Sequence, residues 1–120
     1  MSNKRRGIFY ESSSGSSPVE EWLNSTSLRV RTKLIKMMIQ VEEYWGHTHL
    51  PFVKPVREDL FEITTQVDGK WPRVLFFCYD QDSIVYLHGF FKKMNKTPKN
   101  EIAVALDRKI DFYSRQEEKI

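Results

Sequence analysis

Two apolar runs, RVLFFCY (73–79) and SIVYLHGFF (83–91), are separated only by DQD. A connector that short is a tight turn, so the two runs must pair as an antiparallel hairpin. Everything else in the chain has to be built around that hairpin. A third strand-like run, REDLFEITTQ (57–66), precedes it across VDGKWP, and GIFY (7–10) reads as a short first strand. SSSGSS (12–17) is a polar turn, after which Ser17 and Glu20 fit the capping box S-x-x-E, with Pro18 at the first helical position. Val19, Trp22 and Leu23 share one face of that short helix.

A longer helix is predicted over Leu28 to Trp45, because Val30, Leu34, Met37, Met38, Val41 and Trp45 recur at helical spacing. Gly46 supplies its C-terminal stop, and 46–55, with Pro51 and Pro55, reads as a loop. Thr97-Pro98 opens the last helix, with Glu101 in its first turn and Ile102, Leu106, Ile110 and Tyr113 on its buried face. The order is βααβββα. It predicts an α+β architecture in two layers, a largely antiparallel four-stranded sheet packed against helices.

A chain of 120 residues holds one domain, spanning 1–120. Its lone cysteine, Cys78, excludes an internal disulfide. No apolar run is long enough to cross a membrane, and the N-terminal one is too short for a secretory signal. The expectation is a cytoplasmic protein with no membrane partner. The net charge of +3 is mild, so its distribution is more informative. Acidic residues recur at 20–21, 42–43 and 117–118, on or beside the helices, whereas 88–100 is purely basic.

That window places Lys92, Lys93, Lys96 and Lys99 where a strand hands over to a helix. Lysine-rich loops usually serve solubility alone. Here lysines, loop amides and a helix N-terminus together suit a phosphate. Arg73 and Arg57 each begin a strand; such arginines are often solvated caps, yet at a sheet rim a guanidinium can bind phosphate or offset transition-state charge. Glu62 alternates with Leu60 and Thr64 on one face; a carboxylate on a semi-exposed face, paired to a neighbouring cation, is the commoner case, and a general base the functional one. His88 beside Gly89 is more often a hydrogen-bonded core or rim histidine than an acid–base catalyst. The pair His47 and His49 lacks further ligands, so no metal site is expected, and no cofactor motif is present. Cys78 reads as a small buried hydrophobe. Tyr79, Tyr86, Phe90 and Phe91 are core by default, though alternation can send some outward, where an aromatic stacks on an unpaired base.

The segments DLFEI, RVLFF and LHGFFKKMNKTPKNEI resemble the RelE/HigB superfamily of bacterial toxins, most closely its phage-associated HigB-like branch. The match is densest at Leu87, His88, Gly89, Phe90, Lys92, Lys93, Lys96, Thr97, Pro98, Glu101 and Ile102. The resemblance runs from the first strand through the last helix and implies a RelE-like fold. It also implies the toxin of a type II toxin–antitoxin pair: an mRNA endoribonuclease, usually acting on the ribosome, silenced by a cognate helix-turn-helix antitoxin. Phe61 stands in the aromatic slot of the L-x-E strand. The catalytic tyrosine found near the C-terminus of better-studied relatives has no evident counterpart, since Tyr113 falls in a predicted helix.

Cleavage by attack of the ribose 2′-OH on its own phosphate needs proton transfer and offset of phosphorane charge. The catalytic candidates are Arg73, Lys92, Lys96, His88 and Glu62; the RNA-binding candidates are Arg57, Lys93 and Lys99. No metal is required by that set. Two alternatives stand beside it: a ParE-like gyrase inhibitor of the same fold, and a non-catalytic nucleic-acid-binding module.

Overall fold

In the computed structural model, which describes residues 4–118, the elements run β1 (Arg6–Phe9), α1 (Pro18–Ser25), α2 (Leu28–Tyr44), β2 (Val53–Arg57), β3 (Leu60–Thr64), β4 (Trp71–Asp80), β5 (Ser83–Lys92) and α3 (Lys99–Glu118). The expected hairpin is β4–β5, closed at Asp80 and Ser83, with the Asp80 carboxylate accepting from the Asp82 amide at 2.9 Å. Among the described residues, no helix is long and apolar enough to cross a membrane.

The sheet has five strands rather than four, in the order β1-β5-β4-β3-β2, and is mixed, since β1 runs parallel to β5. The additional strand is β2, whose first three residues fall in the segment 46–55 that the sequence alone assigns to a loop. Its proline is tolerated because β2 is an edge strand, where the missing N–H breaks no interior ladder. The VDGKWP connector is also tighter than expected: Val67 bridges Lys70, and Asp68 and Gly69 both take positive φ (51° and 74°), the hairpin turn that D-G favours.

The predicted two layers become three. Val74, Phe76, Ile84 and Tyr86 face α1 and α2, where they join Val19, Leu23, Val30, Leu34, Met38 and Val41. Leu60, Leu75, Phe77, Val85 and Leu87 face α3 and join Ala105 and Phe112. Strands that are apolar on both faces need a helix on each.

Along α3 the buried stripe is rotated from the expected one. Ala105 and Phe112 are buried, Ile102 and Leu106 half-buried, and Ile110 is 68% exposed, while Tyr113 packs on Phe77. Arg108 and Lys109 turn inward, to the Leu87 carbonyl and to Asp59, and fix that rotation. The capping box is not formed either. Ser17 is the N-cap of α1 without a side-chain bond, while the neighbouring Ser16 hydroxyl donates to Glu21 at 2.7 Å. The Gly46 stop holds, with φ of 83° just past α2.

A bulge decides which side chains reach the α3 face. The β4–β5 register shifts between Leu75 and Phe76, leaving Leu87 without an opposite residue. Beyond it His88 lies opposite Leu75, Phe90 opposite Arg73, and Lys92 opposite Trp71. Directly opposed residues share a face. Gly89 then points to α1, where a Cβ would come within 2.3 Å of Trp22.

Candidate nucleic-acid interface

At the end of the sheet where β2 and β4 begin and β3 and β5 finish, Lys54, Trp71, Arg73, Lys92, Lys93, Met94 and Asn95 line a cavity of 370 Å³. Four cations converge there from three elements and a loop. Lys54 pairs with Glu62, Glu62 with Leu75, and Thr64 with Arg73, so one sheet face carries the set.

Arg73 is the anchored member. It is only 9% exposed and donates Nη1–H bonds to the carbonyls of Thr65 at 2.8 Å and Pro72 at 2.9 Å. Its Nε lies 3.2 Å from Glu62 Oε1, an ion pair in which the N–H is not aimed at the oxygen. Burial lowers the guanidinium pKa from its ordinary value, and Glu62 opposes that shift. An arginine begins so high that it stays charged.

Glu62 is buried rather than semi-exposed, and the loop before α3 reaches back to it through Thr97. Its second oxygen accepts from the Thr97 hydroxyl. The pairing read from the sequence is therefore present, with Arg73 as the cation. A carboxylate so engaged orients Arg73 and pins the loop.

His88 does not line the cavity. Its Nε2 lies 2.9 Å from Glu101 Oε1, and Arg108 Nη1 donates to its Nδ1 at 3.1 Å. Donation to Nδ1 leaves the proton on Nε2, directed at Glu101. Burial lowers the imidazole pKa, Glu101 raises it and Arg108 lowers it again. This is a satisfied histidine that ties β5 to α3.

The remaining lysines divide. Lys92 and Lys93 both line the cavity, while Lys96 is exposed and does not. Arg57 ends β2 rather than beginning a strand, and it lines a separate groove with Lys99, Ile102, Ala103 and Leu106. The N-terminus of α3 thus stands at that groove, away from the Arg73 cavity. Tyr86 and Phe90 are buried, Tyr79 packs on Phe112 and Tyr113, and Phe91 packs on Trp22. Phe61 packs on Trp45 and Phe76. Cys78 is half-buried against the α2 side of the core, and burial pushes its thiol up to about 11.

Lys54, Trp71, Met94 and Asn95 are cavity residues that sequence reasoning misses. Lys54 falls in the expected loop and Trp71 in the expected connector. The signal available is VKPVR itself, two β-branched valines around one proline that an edge strand accommodates.

A family model described as "Phage derived protein Gp49-like (DUF891)" matches residues 21–109. Over 56 residues the chain is 41% identical to a protein named "Probable endoribonuclease HigB1" in two strains of Mycobacterium tuberculosis, covering 47% of this chain and 44% of that protein. The chain thus spans less than half the length of these curated relatives. The family match takes in β2 to β5 and every residue of the cavity, well over half of the chain. The chain belongs to the Phage derived protein Gp49-like family, a family of the RelE/HigB toxin type.

Proposed function

We propose that this protein is the toxin of a type II toxin–antitoxin pair and an endoribonuclease, cutting mRNA on the ribosome in the cytoplasm, with a helix-turn-helix antitoxin as its silencing partner. The observation that carries the reading is the cavity in which a buried, carboxylate-oriented arginine meets three lysines. Such a site attracts a polyanion and is rigid where charge must be offset. The likeness to a named endoribonuclease supports the same reaction class.

In this mechanism the 2′-OH attacks the adjacent phosphorus, the P–O5′ bond breaks, and a 2′,3′-cyclic phosphate and a 5′-OH result. Arg73 and Lys92 offset the charge on the phosphorane. A lysine ammonium of the cavity gives a proton to the departing 5′ oxygen. Glu62 is committed to Arg73 and Thr97, so the 2′-OH proton passes to a solvent base. The cations already in the cavity supply the charge this step requires, and cleavage is expected to persist in EDTA while the ribosome stays intact. A 2′-OH nucleophile restricts the reaction to RNA.

The test is brief induction of the protein in cells, with transcript mapping and an SOS reporter. Fragmented mRNA with 5′-OH ends, absent for Lys92→Ala, supports cleavage. Intact mRNA with an SOS response would replace it by gyrase inhibition. Neither effect, with RNA retained on the purified protein, would leave a binding module.

A further inference from the structure

We propose that the Arg73 cavity contains a nucleobase subsite in which Trp71 is the stacking platform and Asn95 reads the base edge; this rests on the RNA reading above. Trp71 is a large aromatic left 44% exposed in a protein whose other sheet aromatics are mostly packed. Its exposure has a structural cause. The β3–β4 ladder ends at Thr64 and Arg73, so Trp71 has a strand neighbour only on the β5 side. That neighbour is Lys92, and both line the cavity.

Trp71 and Arg73 stand two residues apart on one face, about 7 Å along the strand. That separation suits the phosphate and the base of one nucleotide. A phosphate held by Arg73 and Lys92 therefore brings an unpaired base over the indole. Met94, 60% exposed, gives a second apolar flank on the same cavity, and Asn95 beside it offers an amide donor and acceptor. A flat aromatic, a cation at one strand register and an amide in the adjoining loop are the parts by which single-stranded RNA is bound and its base edges read. The ligand class is a single-stranded ribonucleotide segment with at least one unstacked base.

The experiment uses short, fully 2′-O-methylated oligo(A), oligo(C), oligo(G) and oligo(U), which block the attack, with an abasic oligomer of equal length. Affinity is measured for the wild-type protein, Trp71→Ala, Trp71→Phe, Asn95→Ala and Lys92→Ala, alongside tryptophan fluorescence. The wild type is expected to bind the best homopolymer about 5- to 150-fold more tightly than the abasic strand, the range for one stacked base. Trp71→Ala is expected to erase that ratio and Trp71→Phe to keep part of it. Asn95→Ala should narrow the spread among the four bases, and Lys92→Ala should weaken base-bearing and abasic strands alike. Fluorescence quenching by the homopolymer should be present in the wild type and lost in Trp71→Phe. Equal affinity for abasic and base-bearing strands, with Lys92→Ala still weakening both, would overturn the subsite alone and leave Trp71 as a surface for a protein contact. No binding dependent on Lys92 would overturn the RNA reading and the subsite together.

Discussion

Replacing Arg73 by alanine looks at first like a clean test of charge stabilisation, but its burial makes it a stability mutation as well. The Arg73 and Glu62 side chains are 11% and 4% exposed, so solvent does not screen the pair. Removing either partner strands the other charge, at a cost of about 3–5 kcal/mol. That is a large part of the ~5–15 kcal/mol that holds a domain together. Arg73→Met and Glu62→Gln, if independent, would together cost about 6–10 kcal/mol. The double variant removes both charges, and the amide that replaces the Glu62 carboxylate can still accept from Thr97. It loses chiefly the two bonds from Arg73 to the Thr65 and Pro72 carbonyls, so its cost is expected to be about 1–3 kcal/mol.

Urea unfolding of the four proteins, followed by fluorescence and circular dichroism at constant m, gives the cycle. The double variant should recover most of the lost midpoint while failing to cleave RNA, separating Arg73 the structural cation from Arg73 the reactive one. Additive losses, or an Arg73→Met midpoint within about 0.5 kcal/mol of wild type, would refute the buried pair. Recovery of cleavage in the double variant would refute the catalytic role.

Two further expectations concern the lysines and His88. Lys54→Ala, Lys92→Ala and Lys93→Ala are each expected to slow single-turnover RNA cleavage more than Lys96→Ala, because those three line the cavity and Lys96 does not. If all four cavity cations meet phosphates, log affinity should fall against log salt with a slope of about −2.8, less steep by about 0.7 for each removed lysine; a slope unmoved by all three would dismiss the site. Burial holds His88 below its ordinary pKa, so the folded state binds that proton less readily than the unfolded chain. The His88 contribution is intact above about pH 6.5 and is lost as pH falls below it, toward the lower folded value. Urea midpoints from pH 8 to 5 should therefore drop less for His88→Gln than for wild type, and parallel curves would contradict the assignment.

The elements legible in the sequence were those whose apolar spacing is local. The β4–β5 hairpin, α1 and the face of α2 that carries Val30, Leu34, Met38 and Val41 stand where periodicity put them. β2 was illegible because Pro55 marks a loop unless the strand is known to be an edge, and edges are a property of the whole sheet. The α3 stripe misled at Ile110, which satisfies helical spacing with Ile102, Leu106 and Tyr113 as well as the true stripe does, yet is 68% exposed while those three pack on the core side. Only the pull of Arg108 toward Leu87 and of Lys109 toward Asp59 selects between them. At the site, His88, Phe90 and Lys92 share one face by simple alternation, because the bulge lies before His88. Continued alternation would turn Lys93 to the face opposite Lys92, yet the strand ends at Lys92 and the loop returns Lys93 to the cavity.

That return explains why the basic window sits between a strand and a helix. Residues 93–98 are held at both ends: Lys92 by its pairing with Trp71, and Thr97 by its hydrogen bond to Glu62. The segment between them must therefore close over the end of the sheet, carrying Lys93, Met94 and Asn95 to the cavity wall. Glu62 is the shared post. One of its oxygens faces the β4 arginine and the other takes the loop threonine, so a single carboxylate from β3 sets a cation and a lysine-bearing loop in fixed relation. Burial is what gives Glu62 that authority, since an unpaired carboxylate there would be far costlier than one in water. The carboxylate that looked from the sequence like a general base or a surface ion pair is the residue that assembles the cationic site.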